Sequence, residues 1–147
     1  MNSKITLLRD YYNFLFGLFD YLQAPALAFA RLYIGWIFFK AGLSKIDDWE
    51  STLFLFEYEY VVPFLSYEVA AYMATIGELV LPVLLAAGLL TRFAAAGLTI
   101  VNIVAVIAYL DISLAAINMH IVWGLALAAV MLLGGGKFSL DNKLKIS

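Results

Sequence analysis

The sequence contains no cysteine and a single histidine, His120, which limits the redox chemistry that the chain can carry by itself. Without thiols there is no disulfide, no thiolate metal site and no iron–sulfur cluster. A haem with two histidine ligands cannot form within one chain. Any redox function would therefore depend on a diffusible cofactor, or on a group held by another protein.

Charge is also scarce: charged residues make up 14% of the 147 residues, against 65% for hydrophobic residues. Soluble domains have about 25% charged and about 45–50% apolar residues. A domain of this size exposes much of its surface, and lipid is the solvent that suits such a surface. The formal net charge of −2 and the lack of a basic cluster argue against a nucleic-acid partner. We predict an all-α transmembrane four-helix bundle in a lipid bilayer.

Four apolar runs are long enough to cross a membrane, since each crossing needs about 20 residues. The predicted spans cover residues 26–45, 68–89, 93–110 and 116–133, within a single domain over residues 1–147. An amphipathic helix over residues 5–22 is predicted to lie in the membrane interface ahead of them. Pro25 is expected to break the chain between this helix and the first span, with a plain extension of that span as the alternative. Charges at Lys4 and Arg9 predict a retained N-terminus, not a cleaved signal peptide.

Lysine and arginine accumulate on one side of the predicted bundle. Lys4 and Arg9 lie before the first span, and Arg92 lies between the second and the third. Three lysines follow the fourth span: Lys137, Lys143 and Lys145. The opposite connection, residues 45–67, is acidic and aromatic apart from Lys45. The positive-inside rule then predicts a multi-pass protein of a bacterial cytoplasmic (inner) membrane with both termini cytoplasmic. We expect the acidic connection to fold back onto the mouth of the bundle, or to form an interfacial aromatic belt.

One stripe of the first span combines small and charged residues at helical spacing. It contains Arg31, Gly35, Phe38, Gly42 and Lys45. Glycine allows a second backbone to approach closely, so this stripe is expected to face the bundle and to turn Arg31 inward. Snorkelling of the Arg31 side chain toward lipid headgroups is the alternative.

Glu78, near the middle of the second span, is the strongest candidate for a functional residue. A carboxyl group within lipid must be protonated, paired or exposed to water. Arg31 and Lys45 are the candidate partners. We predict that Glu78 gates or accepts protons while Arg31 or Lys45 fixes its charge, and a purely structural ion pair is the alternative. Asn102 in the third span is interpreted as a hydrogen-bonding link between helices.

His120 lies near the start of the fourth span, one helical turn before Trp123. An imidazole beside an indole suits a quinone head group, because quinone oxygens accept hydrogen bonds and protons. We predict His120, Trp123 and Phe39 as quinone contacts, with His120 also catalytic, and a helix-packing hydrogen bond remains equally open. Met119 and Met73 with His120 would offer soft copper ligands, but their spacing is not diagnostic and we predict no metal site.

Four segments, taken in order, resemble the DoxX family. They are Arg31–Lys45, Glu78–Pro82 followed by Gly88–Arg92, His120 with Trp123, and Gly134–Asp141. The resemblance covers nearly all of residues 31–141 and implies a four-helix inner-membrane protein. The family includes the membrane subunit of a thiosulfate:quinone oxidoreductase and proteins linked to oxidative-stress defence or to metal-binding modified peptides. Residues 56–63 resemble the last of these branches.

Three functions follow from these residues and this resemblance. The first is a membrane subunit of an oxidoreductase system, exchanging electrons and protons between a membrane or periplasmic partner protein and quinone. The second is a small transporter or anchor for a metal such as copper, or for a metal-binding peptide, recruited by the acidic connection. The third is a structural scaffold in which the polar residues only pack helices together. A homodimer is a candidate assembly in each case.

Overall fold

A computed structural model describes residues 3–146, and this part of the chain is built from helices and loops. The helices are α1 (Ser3–Asp47), α2 (Trp49–Tyr58), α3 (Tyr67–Ala87), α4 (Thr91–Ala108), α5 (Leu114–Leu133) and α6 (Leu140–Leu144). Four of them, α1, α3, α4 and α5, are long and apolar enough to cross a membrane. The prediction of an all-α, multi-pass membrane protein is therefore confirmed.

The four long helices pack as a ring in which α1 and α4 each lie between α3 and α5. Short connections make α3 antiparallel to α4 and α4 antiparallel to α5, whereas α1 and α3 are joined through α2. The core between them is apolar and contains Ile34, Phe38, Leu85, Leu98 and Leu127, all buried. The outward faces carry exposed aliphatic side chains, which is the surface that a bilayer solvates.

Helix-capping residues define where α3 and α5 begin and where α3 ends. The hydroxyls of Ser66 and Ser113 accept hydrogen bonds from backbone N–H groups in the first turns of α3 and α5. Gly88 closes α3 with φ of +69°, a left-handed conformation that glycine adopts without steric cost. Helices α3, α4 and α5 begin and end within about two residues of the predicted spans, which is the ordinary uncertainty of a helix boundary.

Helix α1 continues through Pro25, so the break predicted at this residue is wrong. Proline has no N–H to donate to the carbonyl of Tyr21, but the helix runs on both sides of that missing bond. Burial within α1 begins at Ala24 and Leu27. Residues 5–22 therefore extend beyond the bundle, with large apolar side chains exposed along most of their length. Their placement in the membrane interface remains a prediction.

The bundle has two chemically different ends. The basic end, where α5 finishes and α4 begins, carries Arg92, Lys137, Lys143 and Lys145. The acidic end, where α1 finishes and α3 begins, carries the acidic residues of α2 and its flanking loops. These names are used below for the two ends.

Helix α2 and the residues after it form a cover over the acidic end. The ring of Trp49 lies 4.7 Å from that of Tyr72 on α3. Beyond α2, the N–H of Val61 donates to the carbonyl of Ala108 at 2.9 Å, which ties the cover to the end of α4. The connection thus folds back onto the bundle mouth, as expected from its apolar and aromatic content.

Candidate functional site

Two glycines on α1 bring this helix into close contact with α3. A Cβ atom added to Gly42 would lie 2.9 Å from the side chain of Leu79 and 3.1 Å from the carbonyl carbon of Glu78. A Cβ atom on Gly35 would lie 3.2 Å from the carbonyl oxygen of Pro82. The predicted glycine stripe therefore does face the bundle, and it sets Lys45 beside Glu78.

Lys45 and Glu78 form an ion pair between α1 and α3. The Nζ atom of Lys45 lies 2.6 Å from Oε2 of Glu78, and only 21% and 9% of the two side chains are exposed. The prediction that a cation from α1 pairs with Glu78 is confirmed, with Lys45 as that cation. The Thr52 hydroxyl of α2 donates to the backbone carbonyl of Lys45 at 3.0 Å, so the cover is attached at this pair. A charge-assisted bond of this kind is shorter and stronger than one between neutral groups.

An aromatic stack closes the acidic end above this pair. The ring of Tyr60 lies 4.9 Å from that of Phe56 and 5.0 Å from that of Tyr109. Burial first of all, and then the neighbouring Tyr109 and Glu78, raise the pKa of the Tyr60 hydroxyl, which keeps it neutral at physiological pH. The sequence indicated an aromatic connection here, but nothing in it identified Tyr109 as the partner of Tyr60.

His120 is held in one orientation by Asn102 of α4. Nδ1 of His120 lies 2.8 Å from Oδ1 of Asn102, and Nδ2 of Asn102 donates to the backbone carbonyl of His120 at 2.9 Å. The second bond fixes which end of the amide is the oxygen, so the neutral imidazole carries its proton on Nδ1. Nε2 is then the lone-pair nitrogen. Gly124 allows this approach, because a Cβ atom there would lie 3.3 Å from Nδ2 of Asn102.

A groove of about 400 Å³ runs between α4 and α5 beside this pair. Its wall is almost entirely apolar, and the polar side chains along it are those of Thr99, Asn102 and His120. The aliphatic residues at its rim include Ile103, 53% exposed, and Leu125, 67% exposed, so the groove opens toward the lipid-facing surface. A flat amphiphilic molecule could enter from the bilayer and meet the imidazole.

The other two predicted quinone contacts lie outside the groove. Trp123 packs edge-on against His120, with ring centroids 4.9 Å apart, and does not line the groove wall. Phe38 contacts Trp123 at 6.1 Å between centroids, whereas the neighbouring Phe39 is half-buried and is not part of that wall. The structure therefore joins His120 and Trp123 as predicted, and it does not bring Phe39 to them.

Arg31 lies at the basic end and does not contact Glu78 within the described residues. Its inward orientation is confirmed, since only 2% of the residue is exposed. The guanidinium donates to the backbone carbonyls of Leu85 at 3.3 Å, Ala86 at 3.4 Å and Phe138 at 3.1 Å. The first two are carbonyls of the last turn of α3, where the regular helical hydrogen bonds end, and that of Leu85 also accepts from the N–H of Gly88 at 3.1 Å. These contacts join α1 to the end of α3 and to the loop before α6.

Asp141 completes this arrangement at the basic end. Its carboxylate accepts hydrogen bonds from the N–H groups of Leu90 at 2.7 Å and Thr91 at 2.8 Å, and so caps the start of α4. Burial alone would raise the pKa of Asp141, but the amide hydrogen bonds and the charge of Arg31 outweigh it and hold the pKa below its usual value. Sequence reasoning missed this cap, although the Ser139–Asp141 segment was part of the family resemblance.

A family model described as DoxX matches residues 26–110, which is more than half of the 147 residues. The chain belongs to the DoxX family. Searches of curated proteins and of solved structures found no match. In this DoxX protein the matched segment contains Arg31, Lys45, Glu78 and Asn102, whereas His120 lies beyond it.

The methionines considered as metal ligands lie apart from the polar groups of this DoxX protein. Met73 and Met119 are 59% and 52% exposed on the outward faces of α3 and α5. Among the side chains that the structure describes, no three of histidine, aspartate or glutamate are close enough to hold one metal ion.

Proposed function

We propose that this DoxX protein is the membrane subunit of an oxidoreductase system and that it binds quinone in the groove between α4 and α5. The observation that supports this most is the oriented imidazole of His120 in the wall of an apolar groove open to the lipid-facing surface. Quinones reside in the bilayer and are reduced by two electrons and two protons. A binding site for them needs an apolar slot and a group that exchanges protons with the ring oxygens.

His120 supplies that group. In its neutral form Nε2 accepts a hydrogen bond or a proton from a quinol hydroxyl, and as imidazolium it donates one to a quinone oxygen. Asn102 keeps Nδ1 occupied, so Nε2 is the nitrogen left for the ligand. Trp123 supports the ring from one side through its edge-on contact.

We assign a second proton-handling role to Glu78, with Lys45 fixing its charge. This pair is buried under the cover at the acidic end, which we place on the periplasmic side. The electrons come from the redox group of a membrane or periplasmic partner protein that docks at the same side. The cytoplasmic placement of both termini and the bacterial inner membrane belong to the same proposal.

Two lipid-facing tryptophan substitutions test the groove. Ile103→Trp places a large side chain at the rim of the groove, whereas Ile100→Trp places one a single turn away on the same helix, outside it. We expect Ile103→Trp to lower the affinity for a short-chain quinone at least tenfold and Ile100→Trp to leave it unchanged. The measurement is quinone binding to purified protein in detergent, together with the quinone retained on purification.

A third variant links binding to the imidazole. His120→Gln keeps a polar side chain of similar reach but removes the titratable nitrogen, and we expect slower quinone reduction with the redox partner while the protein stays folded. Equal quinone binding by the two tryptophan variants would contradict the groove as the binding site. Unchanged quinone reduction in His120→Gln would contradict the role of the imidazole.

A further inference from the structure

A second cavity, of about 270 Å³, lies at the basic end between α1, the start of α4 and the loop from α5 to α6. One wall is apolar and contains Ala24, Leu27 and Leu133. The other carries Arg92 and Lys137. The cavity is distinct from the groove beside His120 and shares none of its lining residues.

The positive charge of this cavity is not neutralised by the side chains that the structure describes. Among the side chains that the structure describes, no aspartate or glutamate lines it, and neither Arg92 nor Lys137 belongs to an ion pair. The nearby Asp141 has both carboxylate oxygens bound to the amides of Leu90 and Thr91, and Arg31 balances its charge. Within the described side chains, these two cations therefore remain for a ligand.

The loop of the cavity adds backbone donors. Gly134 and Gly136 adopt φ values of +77° and +72°, and the residue between them, Gly135, is buried. Backbone hydrogen bonds engage the N–H groups of Gly134 and Ser139, but none engages those of Gly135 and Gly136 in the part of the chain described. The guanidinium of Arg92 lies against Gly134, where a Cβ atom would be 3.5 Å from Nε. Glycine amides beside a guanidinium are groups that bind phosphate oxygens.

We infer that this cavity binds a phosphate group, and that a phospholipid headgroup is the source that fits it best. The apolar wall would contact the glycerol and upper acyl chains, while Arg92, Lys137 and the glycine amides bind the phosphate. The cavity lies at the basic end of the spans, where α1 leaves the bundle at Gln23 and Ala24, and we place the lipid headgroups at this level. Basic pockets between membrane helices recognise anionic lipids in this way.

Two double variants of the full chain test the site. R92Q/K137Q removes the two cations of the cavity, and K143Q/K145Q removes the same charge from exposed positions at the same end, outside the cavity. Native mass spectrometry in detergent would count bound phosphatidylglycerol, with phosphatidylcholine as the neutral comparison. We expect R92Q/K137Q to lose phosphatidylglycerol affinity tenfold or more, which is about the effect of one charge-assisted hydrogen bond. K143Q/K145Q should keep its affinity within about twofold, because neither lysine lines the cavity.

Competition with inorganic phosphate distinguishes a site for any phosphate group from a site for a lipid headgroup. If millimolar phosphate displaces phosphatidylglycerol from the wild type, the site takes phosphate from either source. If it does not, the lipid headgroup is the ligand. Equal losses in the two double variants, or equal binding of phosphatidylcholine and phosphatidylglycerol by the wild type, would overturn the proposal. Thermal unfolding of each variant shows whether a loss of binding reflects a loss of fold.

Discussion

Asn102 makes two hydrogen bonds to a single residue, His120: Oδ1 lies 2.8 Å from the ring nitrogen Nδ1, and Nδ2 donates to the backbone carbonyl. One amide thus links α4 to α5 and also sets the tautomer of the imidazole. The structural role predicted for Asn102 and the proton-transfer role predicted for His120 therefore depend on the same contact. Removing the amide should change the chemistry of the ring and not only the packing of the helices.

The tautomer can be observed directly, because His120 is the only histidine in the sequence. In protein labelled with ¹⁵N-histidine, we expect the neutral ring to carry its proton on Nδ1. In Asn102→Leu this preference should disappear, since the oxygen that accepts from Nδ1 is gone. Thr99→Val alters another polar residue of the same groove and should leave the tautomer unchanged. A wild-type ring protonated on Nε2 would contradict the assignment.

Replacing one residue of the Lys45–Glu78 pair should lower the free energy of unfolding more than replacing both. Lys45→Met or Glu78→Leu leaves one buried partner alone, and each should lower the free energy of unfolding by about 3–5 kcal/mol. The double variant Lys45→Met/Glu78→Leu leaves no unpaired charge and should lose less than either single variant. Unfolding of the detergent-solubilised protein, measured for all members of this double-mutant cycle, gives the comparison. Additive losses would show that the two side chains do not interact.

The Asp141 cap predicts a loss of stability in acid. Because the pKa of Asp141 is lowered by folding, its contribution is complete above its unfolded value, about 3.9, and is lost as the pH falls through the folded value. Asp141→Asn should cost about 1.5–3 kcal/mol at pH 7, the range for a hydrogen bond to a charged group. It should also flatten the dependence of stability on pH below about 4.

The matched control for Asp141 is Asp111→Asn, which removes an exposed carboxylate from the loop between α4 and α5. Thermal unfolding midpoints at pH 7 and pH 3.5 should be close to those of the wild type in this control. If Asp111→Asn reduced the acid sensitivity as much as Asp141→Asn, the effect would come from total charge and not from the cap.

Gly42 should tolerate no side chain, whereas Gly17 should. Gly42→Ala places a Cβ atom 2.9 Å from Leu79 and 3.1 Å from the backbone of Glu78, so we expect a loss of about 1–3 kcal/mol in unfolding free energy. At Gly17 a Cβ atom would meet nothing within 4 Å. Gly17→Ala should therefore leave stability unchanged or raise it by up to about 1 kcal/mol through helix propensity. Unfolding of both variants in the same detergent tests the difference.

The contacts that sequence reasoning predicted correctly are those encoded by spacing along one helix. Arg31, Gly35, Gly42 and Lys45 recur on one face of α1, and this periodicity predicted both the close approach to α3 and a cation near Glu78. Hydropathy placed the three later spans for the same reason. Such patterns are local, so a single sequence contains them.

The contacts that were missed join residues far apart in the chain through the backbone. Arg31 and Phe138 are 107 positions apart, and the acceptor is a carbonyl that every residue possesses, so no side-chain pattern indicates it. The cap from Asp141 to Leu90 and Thr91 is of the same kind. At Pro25 a local signal was present but misleading. Proline favours a helix start, yet α1 continues across the hydrogen bond that proline cannot make.

Arg31 donates to backbone carbonyls, and this determines which positions around it can be substituted without loss of its hydrogen bonds. Leu85, Ala86 and Phe138 each contribute a carbonyl oxygen, so their side chains can be exchanged without removing a single acceptor. The three donor contacts, by contrast, all depend on one guanidinium. Substitution of Arg31 should therefore remove all three contacts, whereas substitution of the exposed Phe138 should leave its contact in place. Leu85 stays sensitive to substitution for a different reason, because its side chain is buried in the core, and a saturation-mutagenesis map would display this asymmetry.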